Sequence, residues 1–370
     1  MSLANGDGSL RKTNKAALAR ELEKSASPAE VIPEPSATVI DGMSIVQKMK
    51  GNDKTFSQLA ESVLCHILHE GANSQRINVV FDVYREMSIK DAERLNRGAE
   101  MSIQFRNISP GHNIQQWRKL LSSPSSKASL IKFLVNEWKE SRLREKLQDK
   151  ELYATCEQEC FRMTKDKWEE ATTLTSTHEE ADTRLFLHAL HAAESGYKAV
   201  VICAEDTDVL VISLAVSSNI PCPMYQKCGT KNRTRYLDIT KIQETLGGSV
   251  CDALVGMHAF TGCDSIISFA GRRNLTALKH LKSDKTHQEI FSQLGQACDV
   301  PTELFEGLHQ ITCQMYFPSS HTKEVNSCVL NFFVRTVEKW NQASFHLVRT
   351  EACSCIHCAP IIKLPHGDNV

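Results

Sequence analysis

The chain has almost no net charge: 43 Lys and Arg stand against 44 Asp and Glu, a formal −1 over 370 residues. A uniformly basic coat is thereby excluded, so any surface that meets a polyanion has to be local. No apolar stretch is long enough to cross a bilayer and no leader-like pattern opens the chain, so a membrane is not an expected partner. No internal repeat is present. The 14 cysteines lack the spacing of a disulfide framework. Cys65, Cys203, Cys251 and Cys263 stand singly inside apolar segments, as the reduced, buried thiols of an intracellular chain do. What remains is an ordinary globular composition, 41% hydrophobic and 24% charged, with room for one large domain or two small ones.

Against that background the stretch HEEADTRLFLHALHAAESGYKAVVICAEDTDVL, residues 178–210, stands out. Thr177 with Glu180 three residues on reads as a capping box. Leu185, Leu187, Ala189, Leu190 and Ala193 make a mostly apolar helix, which Gly196 is placed to end. Residues 199–204 (AVVICA) are a continuous apolar run, the mark of a strand buried on both faces of a parallel sheet. One acidic cluster, with Glu180 and Asp182, opens the helix; a second, with Asp206 and Asp208, follows the strand. Ligands bind at the carboxyl edge of open α/β sheets. Carboxylates crowded there repel one another unless a cation compensates, and hard divalent ions such as Mg²⁺ or Mn²⁺ prefer such oxygens.

The rest of the chain repeats the pattern. Residues 1–36 are polar, with a short helical stretch and a Pro-containing linker. Residues 37–41 form a short strand ending in Asp41. Phe56, Leu59, Val63, Leu64, Ile67 and Leu68 have helical spacing, and residues 77–81 form a second strand followed by Asp82. Strand, helix and strand in this order make a parallel βαβ unit, so both acids project from one sheet edge. Lys90, Arg94 and Arg97 follow on one helical face. Residues 98–150 read as an insertion carrying helices, and residues 152–163 as one or two strands returning to the sheet. Beyond Asp208 come a buried helix, two short strands joined by a basic turn, and helices over 240–246 and 250–260. The second of these runs into Gly262-Cys263-Asp264. Residues 272–294 and 303–316 read as further helices. Near the end, Cys353, Cys355, His357 and Cys358 are potential zinc ligands, or a tail without metal.

Each of these acids alone has an ordinary reading as a turn or cap residue; their order carries the signal. VIDGMSIVQKM, INVVFD, HEEADTRL, AEDTDVL and LVGMHAFTGCDSI resemble, in sequence order, the acidic motifs of the flap endonuclease branch of the PIN-like nucleases. The resemblance covers about residues 37–285. The pattern HEEADTR…DTDVL…FTGCDS also resembles a metazoan, transposon-derived group, which brings no activity with it.

The resemblance implies a three-layer PIN-like (5'-3' nuclease) α/β fold: a mainly parallel central sheet with helices on both faces, plus a C-terminal helical extension. The implied layout is a polar segment at 1–36, a nuclease domain at 37–272 with the insertion at about 98–150, the extension at 273–345 and a Cys-containing tail at 346–370. The implied activity is two-metal hydrolysis of phosphodiester bonds in DNA or RNA with Mg²⁺ or Mn²⁺. Asp41, Asp82, Glu180 and Asp182 would hold one ion, and Asp206, Asp208 and Asp264 the other. Lys90 and Arg94 are the nearest matches to the cations that reach the scissile phosphate. Arg272 and Arg273, in a shortened counterpart of the hairpin that contacts duplex backbone, would meet nucleic acid. The departures are Val83 where the family has Gly, a tighter spacing from Lys90 to Arg94, and Asp182 in place of Glu. A PIN-like module that binds nucleic acid or protein without cutting is the alternative; a phosphatase or sugar-nucleotide transferase leaves Asp82 and Asp264 unexplained. An intracellular and rather nuclear location fits the expected partner.

Overall fold

The computed structural model describes residues 15–51, 53, 55–84, 108–114, 116–229, 234–262, 274–297 and 301–316. Its centre is an eight-stranded sheet in the order β5-β4-β3-β2-β1-β6-β7-β8. The strands are β1 (Ser36–Asp41), β2 (Arg76–Val80), β3 (Glu151–Cys156), β4 (Glu159–Met163), β5 (Trp168–Glu170), β6 (Ala199–Cys203), β7 (Met224–Cys228) and β8 (Arg235–Asp238). The five central strands, β3-β2-β1-β6-β7, are all parallel. The antiparallel pairs β3–β4, β4–β5 and β7–β8 finish the two edges. The expected α/β class with a mainly parallel sheet is therefore what the chain adopts. The apolar runs predict the central strands because both their faces are covered.

Period-two alternation on β2 shows the two faces. Ile77 and Val79 enter a core with Leu59, Val63 and Ile67 of α3 (Phe56–Glu70) and Leu130, Leu134 and Trp138 of α5 (Pro124–Trp138). Arg76 and Asn78 point the other way and meet His191 and His188 of α7 (Ala181–Glu194). Helices thus lie on both faces of the sheet. On the first face Trp138, 1% exposed, donates Nε1–H to the Ala60 carbonyl at 2.9 Å and stacks with Phe81 at 6.3 Å between centroids.

Local chemistry explains several helix starts. Asp41 caps α2 (Gly42–Lys48), Thr55 and Gln58 form a reciprocal capping box on α3, and Ser123 caps α5, which has Pro124 at its first position. The insertion also carries α4 (Trp117–Ser122) and α6 (Ser141–Arg144). One sequence expectation is corrected here. Thr177 makes no capping box: α7 starts at Ala181, with Glu180 at the N-cap position and no side-chain cap of its own. Asp82 satisfies the Ala181 N–H instead, at 2.8 Å from 99 residues away. A tertiary acceptor has replaced the local one. Gly196 ends the helix as expected, at φ 90°.

Two compact units divide the chain. Residues 27–209 and 217–240 hold the sheet; residues 1–26, 210–216 and 241–370 form the other unit. α8 (Thr207–Val216) leaves the sheet unit. The described elements of the second unit are helical, with α10 (Gly248–Thr261), α11 (Asn274–Ser283), α12 (Lys285–Gln293) and α13 (Thr302–Tyr316), preceded by α9 (Ile239–Leu246). α1 (Lys15–Glu23) packs on α11. The single helix expected over 272–294 is two, because Asp284 stops one and caps the next through Thr286 N. Gly256 lets α10 approach the Phe291 carbonyl of α12: a Cβ there would lie 2.1 Å from it.

Candidate functional site

Three neighbouring parallel strands deliver acids to one edge. Register pairs Asp41 with Val80 and Ile40 with Cys203, so the carboxyl ends of β2, β1 and β6 are level. Asp41 is the last residue of β1. Its Oδ1 accepts from Met43 N at 2.9 Å and Ser44 N at 3.3 Å, which turns the chain into α2. Asp82 follows β2 by two residues. The intervening Phe81 N–H donates to Thr155 Oγ1 of β3 at 2.8 Å, which carries the strand one residue beyond its backbone ladder. Asp206 follows β6 by three residues and caps α8, its Oδ1 accepting from Asp208 N at 3.1 Å. The chain turns from strand to helix at Asp206, as two carboxylates two residues apart require if they are to share an edge. Gln226 Nε2 donates to the Ala204 carbonyl at 2.8 Å and ties this turn to β7.

The fourth contribution comes from α7. Asp82 Oδ1 accepts from Ala181 N, its Oδ2 accepts from Tyr84 Oη at 3.2 Å, and Val83 N donates to the Glu179 carbonyl at 2.8 Å. The start of α7, with Glu180 at the N-cap and Asp182 in the first turn, is thus bonded to the end of β2. Anions at helix N-termini are stabilised by the helix dipole. Asp41, Asp82, Glu180, Asp182 and Asp208 are half-buried, and Asp206 is exposed.

The structure therefore brings Asp41, Asp82 and Asp206 to one edge and fastens the segment of Glu180 and Asp182 to Asp82. Lys90, Arg94, Asp264, Arg272, Arg273 and the Cys353–Cys358 cluster lie outside the described residues. Among the described residues, no group of three or more His, Cys, Asp or Glu side chains is assembled so as to hold a metal ion. The donor chemistry suits a hard divalent cation, because a carboxylate offers about four acceptor positions and capping leaves acceptor capacity on Asp82 and Asp206. Cys203, at the end of β6, supplies no thiolate, since burial pushes its thiol up to about 12. No disulfide joins the described cysteines, but the expected burial holds only for Cys251: Cys203 is half-buried, Cys65 is exposed because it lies off the apolar face of α3, and Cys263 is outside the described residues.

Beneath the edge lies a polar layer that the sequence patterns did not single out. Arg76, 1% exposed, donates to Asn78 Oδ1 from Nε at 3.1 Å and from Nη2 at 3.0 Å, and stacks 3.9 Å over the Tyr153 ring. Its Nη1 donates to His191 Nδ1 at 2.9 Å. Arg184 and His188 are wholly buried on the same face of α7. The available signal was their spacing: Arg184 and His188 fall on the apolar stripe of Leu185, Ala189 and Ala192, where a charge is out of place.

No family model matches the chain, and no curated protein matches it. Among solved structures it is similar to the bacteriophage T5 flap endonuclease in complex with DNA and metal ions. The identity is 11%, the TM-score 0.35, and the match covers 81% of this chain and 98% of that one. A TM-score of that size is too low to establish a shared fold.

Proposed function

We propose that this chain is a divalent-metal-dependent nuclease of the PIN-like type, on the flap endonuclease branch, hydrolysing phosphodiester bonds in DNA or RNA. The observation that carries the reading is the delivery of Asp41, Asp82 and Asp206 by three adjacent parallel strands to one edge, with the start of α7 bonded to Asp82. One acid at a strand end is an ordinary helix cap. Three on neighbouring strands, beside a helix start that carries two more, form a concentration of negative charge that favours a cation.

In this reading Asp41, Asp82, Glu180 and Asp182 hold one Mg²⁺ or Mn²⁺ ion, and Asp206, Asp208 and Asp264 hold a second. Bound there, the ions supply water activation and charge neutralisation for an in-line displacement at phosphorus. The chain's own residues set the positions: Asp41 and Asp206 are fixed by the helices they cap, Asp82 by α7 and Tyr84. Lys90 and Arg94 are assigned to the scissile phosphate, and Arg272 and Arg273 to the nucleic-acid backbone. The near-zero net charge confines the contact surface to such local groups. Among the described residues no helix is long and apolar enough to cross a membrane. A nucleic-acid substrate and reduced thiols go with an intracellular location, the nucleus ahead of the cytoplasm, and the motif pattern with a transposon-derived origin.

A second reading is a PIN-like module that binds nucleic acid or protein without cutting. The near-zero net charge and the shortened hairpin sequence around Arg272 and Arg273 favour it. Turnover separates the two. Labelled flap, bubble and single-stranded substrates, in DNA and RNA, are incubated with millimolar Mg²⁺ or Mn²⁺. The nuclease reading expects cutting and a metal-induced rise in melting temperature. Binding at about 100 times Kd adds about 2.7 kcal/mol. Asp206→Asn with Asp208→Asn removes both effects and leaves a folded protein. A wild type that cuts nothing and shows no metal-dependent shift sinks the nuclease reading in favour of the binding module.

A further inference from the structure

Arg184 occupies a position where an apolar side chain is expected. It lies in the first turn of α7, and none of its surface is exposed. Its Nη1 donates to two carbonyls, Phe81 O at 3.2 Å and Glu157 O at 2.8 Å. The first belongs to the peptide immediately ahead of Asp82. The second belongs to the β3–β4 turn, where Glu157 holds φ 53°, a left-handed conformation that is costly for a residue with a Cβ. Among the described residues no carboxylate forms a salt bridge with Arg184. Burial pushes its guanidinium below the ordinary value; the charges of Cys160 and then Asp82 act in the opposite sense.

A buried guanidinium is an expensive means of bonding two carbonyls. Replacing buried ions with apolar residues of similar volume is often neutral or stabilising. The charge therefore needs a use that packing does not supply, and the connections around it indicate one. Arg184 reaches back to the Phe81 carbonyl, Asp82 Oδ1 accepts from Ala181 N, and Val83 N donates to the Glu179 carbonyl. Residues 81–83 and 179–184 are locked together on both sides of Asp82.

An enclosed anion is the competing occupant. Arg184 Nε and Nη2 and His188 Nε2 are buried without hydrogen-bond partners, one helical turn apart. His188 Nδ1 lies 3.3 Å from Asn78 Oδ1, an acceptor, so the ring proton is on Nδ1 and Nε2 carries a lone pair. An anion with no proton of its own would be repelled by that lone pair. The positive charge of Arg184 is directed instead to the edge above, through the Phe81 carbonyl.

We propose that Arg184 is the positioning residue of the acidic edge. It fixes the Phe81–Asp82 peptide against the first turn of α7, and it supplies from inside the protein the resident positive charge for Asp82 when no cation is bound. The inference rests on the reading of this edge as the catalytic one, and its test is separable from turnover.

The test is a double-mutant cycle on the metal-free full chain, read as melting temperature, with Asp82→Asn and Arg184→Met. Asparagine keeps an Oδ1 acceptor for Ala181 N and removes the charge; it also turns the acceptor of Tyr84 Oη into an amide donor, a change common to both backgrounds that the cycle cancels. Asp82→Asn is expected to lower the melting temperature by about 2–4 °C when Arg184 is present, and to leave it unchanged or raise it when residue 184 is Met. Arg184→Lys, which keeps the charge, behaves as the wild type in the cycle. If Arg184→Met fails to fold, Arg184→Gln takes its place. Equal shifts in both backgrounds overturn the proposal, because a purely structural Arg184 contributes additively. Turnover with Mn²⁺ is read in parallel. Arg184→Gln is expected to lose about 10²-fold, the scale of a 1 Å misplacement, and Arg184→Lys to recover part of it. A non-additive cycle in a wild type that cuts nothing refutes the nuclease and keeps the positioning role. An additive cycle in an active enzyme refutes the positioning role alone.

Discussion

His188 makes the sheet unit's stability depend on pH in a calculable way. Its side chain is fully buried, and the groups acting on it come from two elements: Arg76 on β2, and Arg184 and His191 on α7. Burial, then the charges of Arg184, Arg76 and His191, hold its pKa well below the ordinary 6.5. In the unfolded chain it titrates near 6.5. Below that pH the unfolded state therefore binds a proton that the folded state refuses. Stability is full above about pH 6.5 and falls as the pH drops toward the folded pKa, at up to about 1.4 kcal/mol per unit. From pH 7.5 to 5.0 the loss reaches at most about 2 kcal/mol, or about 4–8 °C in melting temperature, the limit for an imidazole that stays neutral throughout. His191, half-buried and also lowered, first by burial and then by Arg76, acts in the same direction. One carboxylate acts the other way: burial raises Asp252, in the helical unit, so exchange of the α7 amides isolates the His188 slope. Glu70, which burial tends to raise but the Lys227 hydrogen bond holds below 4.5, gives up its contribution only at lower pH. The assay is denaturant unfolding across pH 5.0–8.0, followed by far-UV circular dichroism and by hydrogen exchange of the α7 amides. His188→Gln should flatten the slope below pH 6.5. Parallel slopes in wild type and variant would refute the assignment of a neutral buried imidazole.

Two further substitutions test the packing that holds the acids and the helical unit. Gly42 follows Asp41, and a Cβ on it would lie 2.4 Å from the Phe81 ring, which is 1% exposed and backed by Trp138. Gly42→Ala is expected to cost about 1–3 kcal/mol and to lower any metal-induced melting shift, since both neighbouring acids move; an unchanged melting curve rejects the close contact. In the helical unit, Gly256→Ala drives a methyl into the Phe291 carbonyl, so α12 has to retreat from α10. The expected cost is again about 1–3 kcal/mol, read as faster hydrogen exchange in α10 and α12, and unchanged protection there rejects it.

The parallel centre of the sheet was legible because β1, β2 and β6 are apolar runs that end in acids, and the helix of residues 56–70 keeps one apolar face. The acids' meeting at one edge followed from strand order alone. What escaped was set by partners distant in sequence. α7 looked locally capped by Thr177, but its acceptor is Asp82, two residues past the end of β2. β5 is Trp168-Glu-Glu, with neither apolar alternation nor β-branched residues; it is a strand because β4 offers it an edge. Arg76 and Arg184 contradict the rule that charge stays outside, His188 is a polar ring buried beside them, and nothing short of their three-dimensional neighbours explains the three.

The bond from Ala181 N to Asp82 has a kinetic side. Helix nucleation is the slow and unfavourable step, and a good N-cap lowers its cost. α7 borrows its cap from Asp82, just past β2 and 99 residues earlier, so its first turn gains that help only after β2 is in place. Loop closure over that distance has to come first, and contacts of long sequence separation slow folding. An excised peptide of residues 177–196 lacks the start signal and should show little helix. In the whole chain, α7 is expected to consolidate late, with the acidic edge forming in the same step.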